Sequence, residues 1–127
     1  MYKEITITIL IVLLILGLDI ITNNYTLTST NSLSSELEEL RQEIKAENVP
    51  NIDNKMNQIL ANWKEYYNVM AYYLEHDELE KVETELTKLK ADIENKRYDE
   101  CMNEIDTSIF ILKHIEDKEK FTIQSIF

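Results

Sequence analysis

The stretch "YYLEHDELEKVE", residues 72–83, sets His76 beside Asp77, Glu78 and Glu80 in a chain with only two histidines. Neutral imidazoles and carboxylates are ordinary ligands for zinc and related cations, and the same groups can move protons. The second histidine, His114, is followed by Glu116 and Asp117. If residues 77–95 and 98–116 form an antiparallel hairpin turning near Lys96, residues equidistant from the turn face each other. His76 then falls level with Glu116 or Asp117, and His114 with Leu79. Both histidines reach one end of the hairpin, and the candidate metal ligands are His76, Glu78, Glu80, His114 and Asp117. No His-x-x-x-His pair on one helix supports them. A plainer reading makes the same residues hairpin stabilisers. Asp77 caps the helix that starts here, Glu78 and Glu80 suit its positive N-terminal end, and His114 suits the negative C-terminal end of the next helix. The plainer reading is preferred, and no metal or cofactor is assigned.

Other constellations are weaker. The acidic run Glu75, Asp77, Glu78, Glu80, Glu83 and Glu85 could gather calcium, but it lacks the D-x-D-x-D-G loop and reads as a solvated helix face. Trp63, Tyr66, Tyr67, Tyr72 and Tyr73 could form a ligand pocket or docking face, with core packing the simpler role. There is no G-x-S-x-G, no Cys–His setting and no zincin helix, so an enzyme is not expected. A single glycine excludes a Gly-rich phosphate cradle. The net charge of -11 disfavours nucleic acid as a partner. Cys101 is alone, so no internal disulfide forms, and a small apolar core role suits it.

The elements that hold these residues follow from periodicity. One glycine and one proline in 127 residues argue for long helices joined by short polar turns. The first segment, "ITITILIVLLILGLDII" (residues 5–21), is nearly continuous in apolar residues. From Tyr2 to Tyr25 it would make a rod of roughly 35 Å, enough to cross a bilayer with a tyrosine at each interface. The start "MYKE" and the absence of a small-residue cleavage site favour an uncleaved anchor over residues 1–25 rather than a signal peptide. Lys3 precedes the span and the next basic residue is Arg41, which predicts a cytoplasmic N-terminus and an extracytoplasmic remainder. Asp19 is either an intramembrane carboxylate paired to a partner helix or, more simply, a group at the outer interface.

Beyond the anchor, residues 26–127 carry four apolar stripes at helical spacing. They predict helices over about 30–47, 51–75, 77–95 and 98–116, followed by a docking tail at 117–127. "NNYTLTSTNS" is either a continuing stalk or a loose linker. "ELEELRQEI" (36–44) and "ELTKLKADI" (85–93) share E-L-x-x-L-x-x-x-I. Met56, Ile59, Trp63 and Tyr66 recur in spacing as Met102, Ile105, Ile109 and Leu112, which predicts two tandem helix hairpins. The fold class is all-α: a transmembrane helix followed by a small antiparallel bundle, TPR-like or four-helix.

The chain also carries a longer pattern. Trp63 lies in a long helix, His76, Glu78 and Leu79 form an "H-x-E-L" helix start, and Leu86, Leu89 and Lys90 form "L-x-x-L-K". The ending Leu112, Lys113, His114, Ile115, Glu119, Ile123 and Ile126 has the form "L-K-H-I-x-x-x-E-x-x-x-I-x-x-I". This resembles the bacterial domain of unknown function 4363 family, small proteins of clostridia and related Gram-positive bacteria. The resemblance covers essentially the whole chain, and "AENVPNID" departs from the family's acidic first turn. It implies a single-pass membrane protein with a helical extracytoplasmic domain, no assigned activity, and neighbouring small multi-pass membrane proteins. The expected role is a membrane-anchored, non-enzymatic interaction or accessory protein. Residues 5–21 would meet the lipid bilayer, and Asp19, Trp63, Tyr67, Phe121, Ile126 and Phe127 are the candidate interaction residues. The alternative is a metal- or ligand-binding sensor using the His76/His114 end. A third reading, a secreted soluble domain, needs a mature N-terminus within residues 17–30.

Overall fold

A computed structural model describes residues 1–126, apart from the side chain of Ile126. The expected contacts of Ile126 and Phe127 therefore lie outside the described residues. Among those residues there are four helices and no strand: α1 Tyr2–Lys45, α2 Val49–Met70, α3 His76–Glu94 and α4 Tyr98–Ile126. α1 packs against α2 and α4, α4 packs against α3, and α2 meets α3 more sparsely. Contact between the first and last helices closes the ring. The domain is thus an antiparallel four-helix bundle and not an open TPR-like double hairpin.

The stripes point inward as their spacing requires. Leu33, Leu37 and Leu40 of α1 meet Ile52, Met56, Ile59 and Trp63 of α2 in one core. Leu79, Val82, Leu86 and Leu89 of α3 and Cys101, Ile105, Leu112 and Ile115 of α4 complete it. Each fully buried aliphatic side chain contributes about 1.5–3 kcal/mol by leaving water. That gain offsets the helix-weakening Ser and Thr content of α1.

Two boundaries differ from those the stripes suggest. The first is the junction after the apolar run. Of the two readings of "NNYTLTSTNS", the continuing helix holds and the loose linker does not: α1 runs unbroken through it, packed into the bundle, with Thr26, Ser29 and Thr30 buried. Their small side chains let neighbouring helices approach closely. The Tyr73 hydroxyl bonds to the Thr26 hydroxyl at 2.7 Å and donates to the Thr22 carbonyl at 3.1 Å, tying the end of α2 to α1. The second is the tail, where α4 carries on through residues 117–126 as regular helix.

The apolar run faces outward along its whole length, with Ile5 to Ile21 largely exposed. α1 is the one helix among the described residues long and apolar enough to cross a membrane. Its two interior hydroxyls bond back along the helix, Thr6 to the Tyr2 carbonyl at 2.9 Å and Thr8 to the Glu4 carbonyl at 2.8 Å. Between Ile5 and Ile15 no side-chain polar group is then left needing water.

The two hairpins repeat with a single offset of 49 residues, from Leu37 to Leu86. Leu33 matches Val82, Leu40 matches Leu89, and Ile44 matches Ile93; all six are buried. Across the turn, Ile52 matches Cys101, Met56 matches Ile105, Ile59 matches Ser108, and Trp63 matches Leu112. These eight are buried as well. The expected pairing of Met56 with Met102 is therefore three residues out of register, because both turns have the same length and helical spacing alone does not fix phase.

The matching turns close in the same way. Glu47 and Lys96 adopt φ of 56° and 58°, the left-handed region. Asn48 N–H donates to the Glu43 carbonyl at 3.2 Å, and Arg97 N–H to the Asp92 carbonyl at 2.8 Å. This is the helix-ending motif in which glycine normally supplies the positive φ, and a side chain there costs free energy. Glu47→Gly and Lys96→Gly are each expected to raise unfolding stability by roughly 0.5–1 kcal/mol, additively, in urea titrations of the purified chain.

Candidate functional site

The bundle places the expected histidine end where the register argument put it, at the level of the α2–α3 turn. α3 begins at His76, with Glu75 at the cap position and no side-chain cap bond. Asp77, expected to cap the helix, sits inside its first turn and acts there only through its charge. Glu78 turns inward and is nearly buried. His114 Nε2 comes within 4.0 Å of Glu78 Oε1. The cation these acids gather is the chain's own. Lys118 Nζ lies 3.2 Å from Glu78 Oε1 and 3.4 Å from Glu75 Oε1. The hydrogen bond it donates to Glu78, with that carboxylate's charge, holds the Lys118 ammonium above the ordinary lysine range. An ammonium needs no vacant cavity, and it supplies the charge a metal would bring.

The remaining candidates do not join this group. His76, Glu80 and Asp117 are exposed, and Glu80 opens with Asp77 onto a separate recess beside Lys81 and Ile111. Among the described residues no group of three His, Cys, Asp or Glu side chains is placed to hold a metal ion.

A second cluster escaped the sequence analysis. At the far end of the same hairpin, Asp92 is nearly buried and pairs with Arg97 at 2.6 Å. The Glu104 carboxyl approaches that of Asp92, its Oε2 buried with no other partner among the described residues, and the two can share a hydrogen bond when one carries a proton. Burial, that contact and the charge of Asp92 push Glu104 up to about 7. Asp92 moves below its ordinary value because Glu104 and Arg97 both bond to it. Burial beside these acids pushes the Cys101 thiol up to about 12, so it stays protonated and inert. A clue existed in the spacing, since Glu104 is 49 residues after Lys55. In the first hairpin that lysine pairs with Glu39.

The aromatic residues divide between core and groove. Trp63 is only 3% exposed and packs on Tyr67 with ring centroids 6.0 Å apart. Its indole Nε1 is buried with no acceptor among the described residues. Both rings line a cleft of about 410 Å³ between α2 and α3, with Leu60, Asn68 and Glu83. A second cleft, of about 430 Å³, continues between the same helices towards Met56 and Ile93. Asp19 lies half-exposed at the end of the apolar run, and Phe121 is exposed near the end of α4.

A family described as a domain of unknown function (DUF4363) matches residues 20–126. The chain belongs to this family. The DUF4363 match starts as the apolar run of α1 ends and takes in all four helices of the bundle, including the last turns of α4. Of its quoted pattern, Trp63, Leu79, Leu86, Leu89, Leu112 and Ile115 are core, while Glu78 and His114 belong to the Lys118 cluster. No curated protein and no solved structure matches the chain.

Two outcomes follow for the charged clusters. Lys118→Met leaves the Glu78 carboxylate nearly buried without its cation, and the melting temperature falls. Adding Glu78→Gln recovers most of that loss in a double-mutant cycle, and zinc titration of Lys118→Met reports whether a metal takes the vacated place. At the other end, Glu104 binds its proton more tightly folded than unfolded. Its contribution is complete below the ordinary value of 4.5 and is lost as pH rises through about 7. Asp92 acts in the opposite sense, contributing above 3.8 and losing it as pH falls further. Glu104→Gln, whose amide can donate permanently to Asp92, is expected to flatten the decline over that window. It should melt higher than the unaltered chain at about pH 8 and equally near pH 4.5, read by circular dichroism.

Proposed function

We propose that this chain is a membrane-anchored, non-enzymatic accessory protein of the cell envelope. Its bundle stands outside the cytoplasm and docks onto another membrane protein, with a multi-pass partner the best fit. One observation carries this reading: the apolar run and the first wall of the bundle are the same helix. Cleavage within residues 17–30 would sever α1 where Thr26 and Ser29 are buried, which supports an anchor that is kept. The bundle is thereby held at a fixed height and orientation at the surface, the arrangement of a docking module and not of a freely diffusing binder. The side with Lys3 is cytoplasmic in this reading, since Lys and Arg concentrate on that side of short spans.

The partner's seat is the α2–α3 groove. It is the most sparsely packed edge of the ring, and Trp63 and Tyr67 line it. The sensor alternative gains no specific observation, since Lys118 already neutralises the acids at the His76/His114 end.

The test is cross-linking in native membranes with a tag on the C-terminus. One dominant membrane protein is expected with the intact chain. It should be absent with a truncation after Ser29 and much reduced with Tyr67→Arg. A chain that is abundant and folded, yet recovers nothing above the truncation, would overturn the accessory role.

A further inference from the structure

The end of α4 lies at a height that the anchor itself defines. Residues 1–15 of α1 are exposed all round, and partial cover begins only at Leu16, Gly17 and Asp19. The covered positions at the end of α4 are Glu119 and Ile123, one turn apart. Lys118, beside Glu119, reaches Glu75 at 3.4 Å, two residues after Tyr73, whose hydroxyl is bonded to Thr22 and Thr26 of α1. Glu119 is therefore level with the last polar turn of α1 before its apolar run. α4 is antiparallel to α1 and continues for seven residues beyond Glu119, to Ile126. Those residues carry it roughly 10 Å further along α1, past Asp19 and beside the apolar run.

The side chains suit that depth. Phe121 is 70% exposed, just past the point where the two helices pass Asp19. Lys118 and Lys120 flank it, and Lys120 bonds Glu116 at 2.9 Å, back towards the bundle. Thr122 and Ser125 bond their hydroxyls to the carbonyls of Lys118 and Phe121, at 3.0 and 2.9 Å, as hydroxyls in apolar surroundings do. At the same level, the α2–α3 turn presents Tyr72, 91% exposed. An aromatic belt with basic residues just outside it is the composition of a bilayer interface.

We propose that the last two turns of α4, from Phe121 onward, are embedded beside α1 in the outer headgroup and upper acyl region of the bilayer. The chain then meets the membrane with two antiparallel helices, one crossing it and one dipping in, while Tyr72 rests at the surface. The proposal rests on α1 spanning the bilayer, and the experiment separates the two claims.

The only tryptophan is first removed by Trp63→Phe. Single-tryptophan probes are then placed by Phe121→Trp, Phe110→Trp and Ile9→Trp in separate full-length chains. Each is reconstituted into phosphatidylcholine vesicles containing lipids with a spin-label quencher near the headgroup or near the chain end. Phe110 is the internal control: it is 73% exposed on the same helix, eleven residues nearer the far end of the bundle. The expected result is quenching of Phe121→Trp mainly by the shallow label, of Ile9→Trp by the deep label, and of Phe110→Trp by neither. Circular dichroism confirms the fold of each chain. Quenching of Ile9→Trp without Phe121→Trp would overturn the embedded tail and leave the span standing, as a protein partner covering Phe121 would. No quenching of Ile9→Trp would remove the span and the proposal with it. Equal quenching of Phe110→Trp and Phe121→Trp would mean α4 lies flat on the surface, which also overturns the assigned depth.

Discussion

α1 has to satisfy two solvents without a joint. Its first half presents isoleucine and leucine in every direction, a surface that water disfavours and lipid accepts. Its second half keeps the apolar residues to one stripe, from Leu33 to Ile44, and turns Glu38, Glu39 and Glu43 outward. Between them lies a short polar stretch that would fray alone, because serine, threonine and asparagine compete for backbone bonds. It stays helical because Thr26, Ser29 and Thr30 are small enough for close packing and because Tyr73 is bonded to it. The rest of the bundle depends on that continuity. α2 and α4 flank α1, and α3 is joined to α1 only through them.

Most of the architecture was legible in the sequence, for physical reasons that also mark where reading failed. Helical stripes such as Ile52, Met56, Ile59 and Trp63 are legible because burial enforces their period. The register that put His114 level with Leu79 was sound, since turn length fixes it and Glu78 meets His114 in the folded chain. The polar junction was not legible. Composition reports what Ser and Thr prefer when exposed, whereas Thr26 is chosen for its size in a crowded contact. The end of α4 read as a tail because one face of it lacks core partners. The histidine end offered a metal site as an alternative to helix stabilisation because sequence shows ligands but not the lysine four residues after His114 that comes to lie among them.

The two hairpins share one geometry but differ in chemistry at equivalent places. Ile59 in the first becomes Ser108 in the second, a buried hydroxyl with no partner among the described residues. Ile52 becomes Cys101, and Lys55 becomes Glu104. The first hairpin keeps aliphatic bulk and closes its far end with Lys55 on Glu39. The second gives up volume, and its far end is closed by Arg97 on Asp92.

A helix without a joint also transmits angle. Every residue of α1 turns the chain by about 100° and advances it by 1.5 Å. The number of residues between Ile21 and Thr26 therefore fixes which compass direction the α2–α3 groove faces around the membrane normal. One residue more or fewer there would swing that groove a quarter of the way round or further while leaving the core from Leu33 to Ile115 intact, with the Tyr73 bond to the Thr22 carbonyl the contact it would disturb. In the proposed membrane-anchored arrangement, the length of the junction is thus an address, setting the side from which a partner in the bilayer would meet the groove.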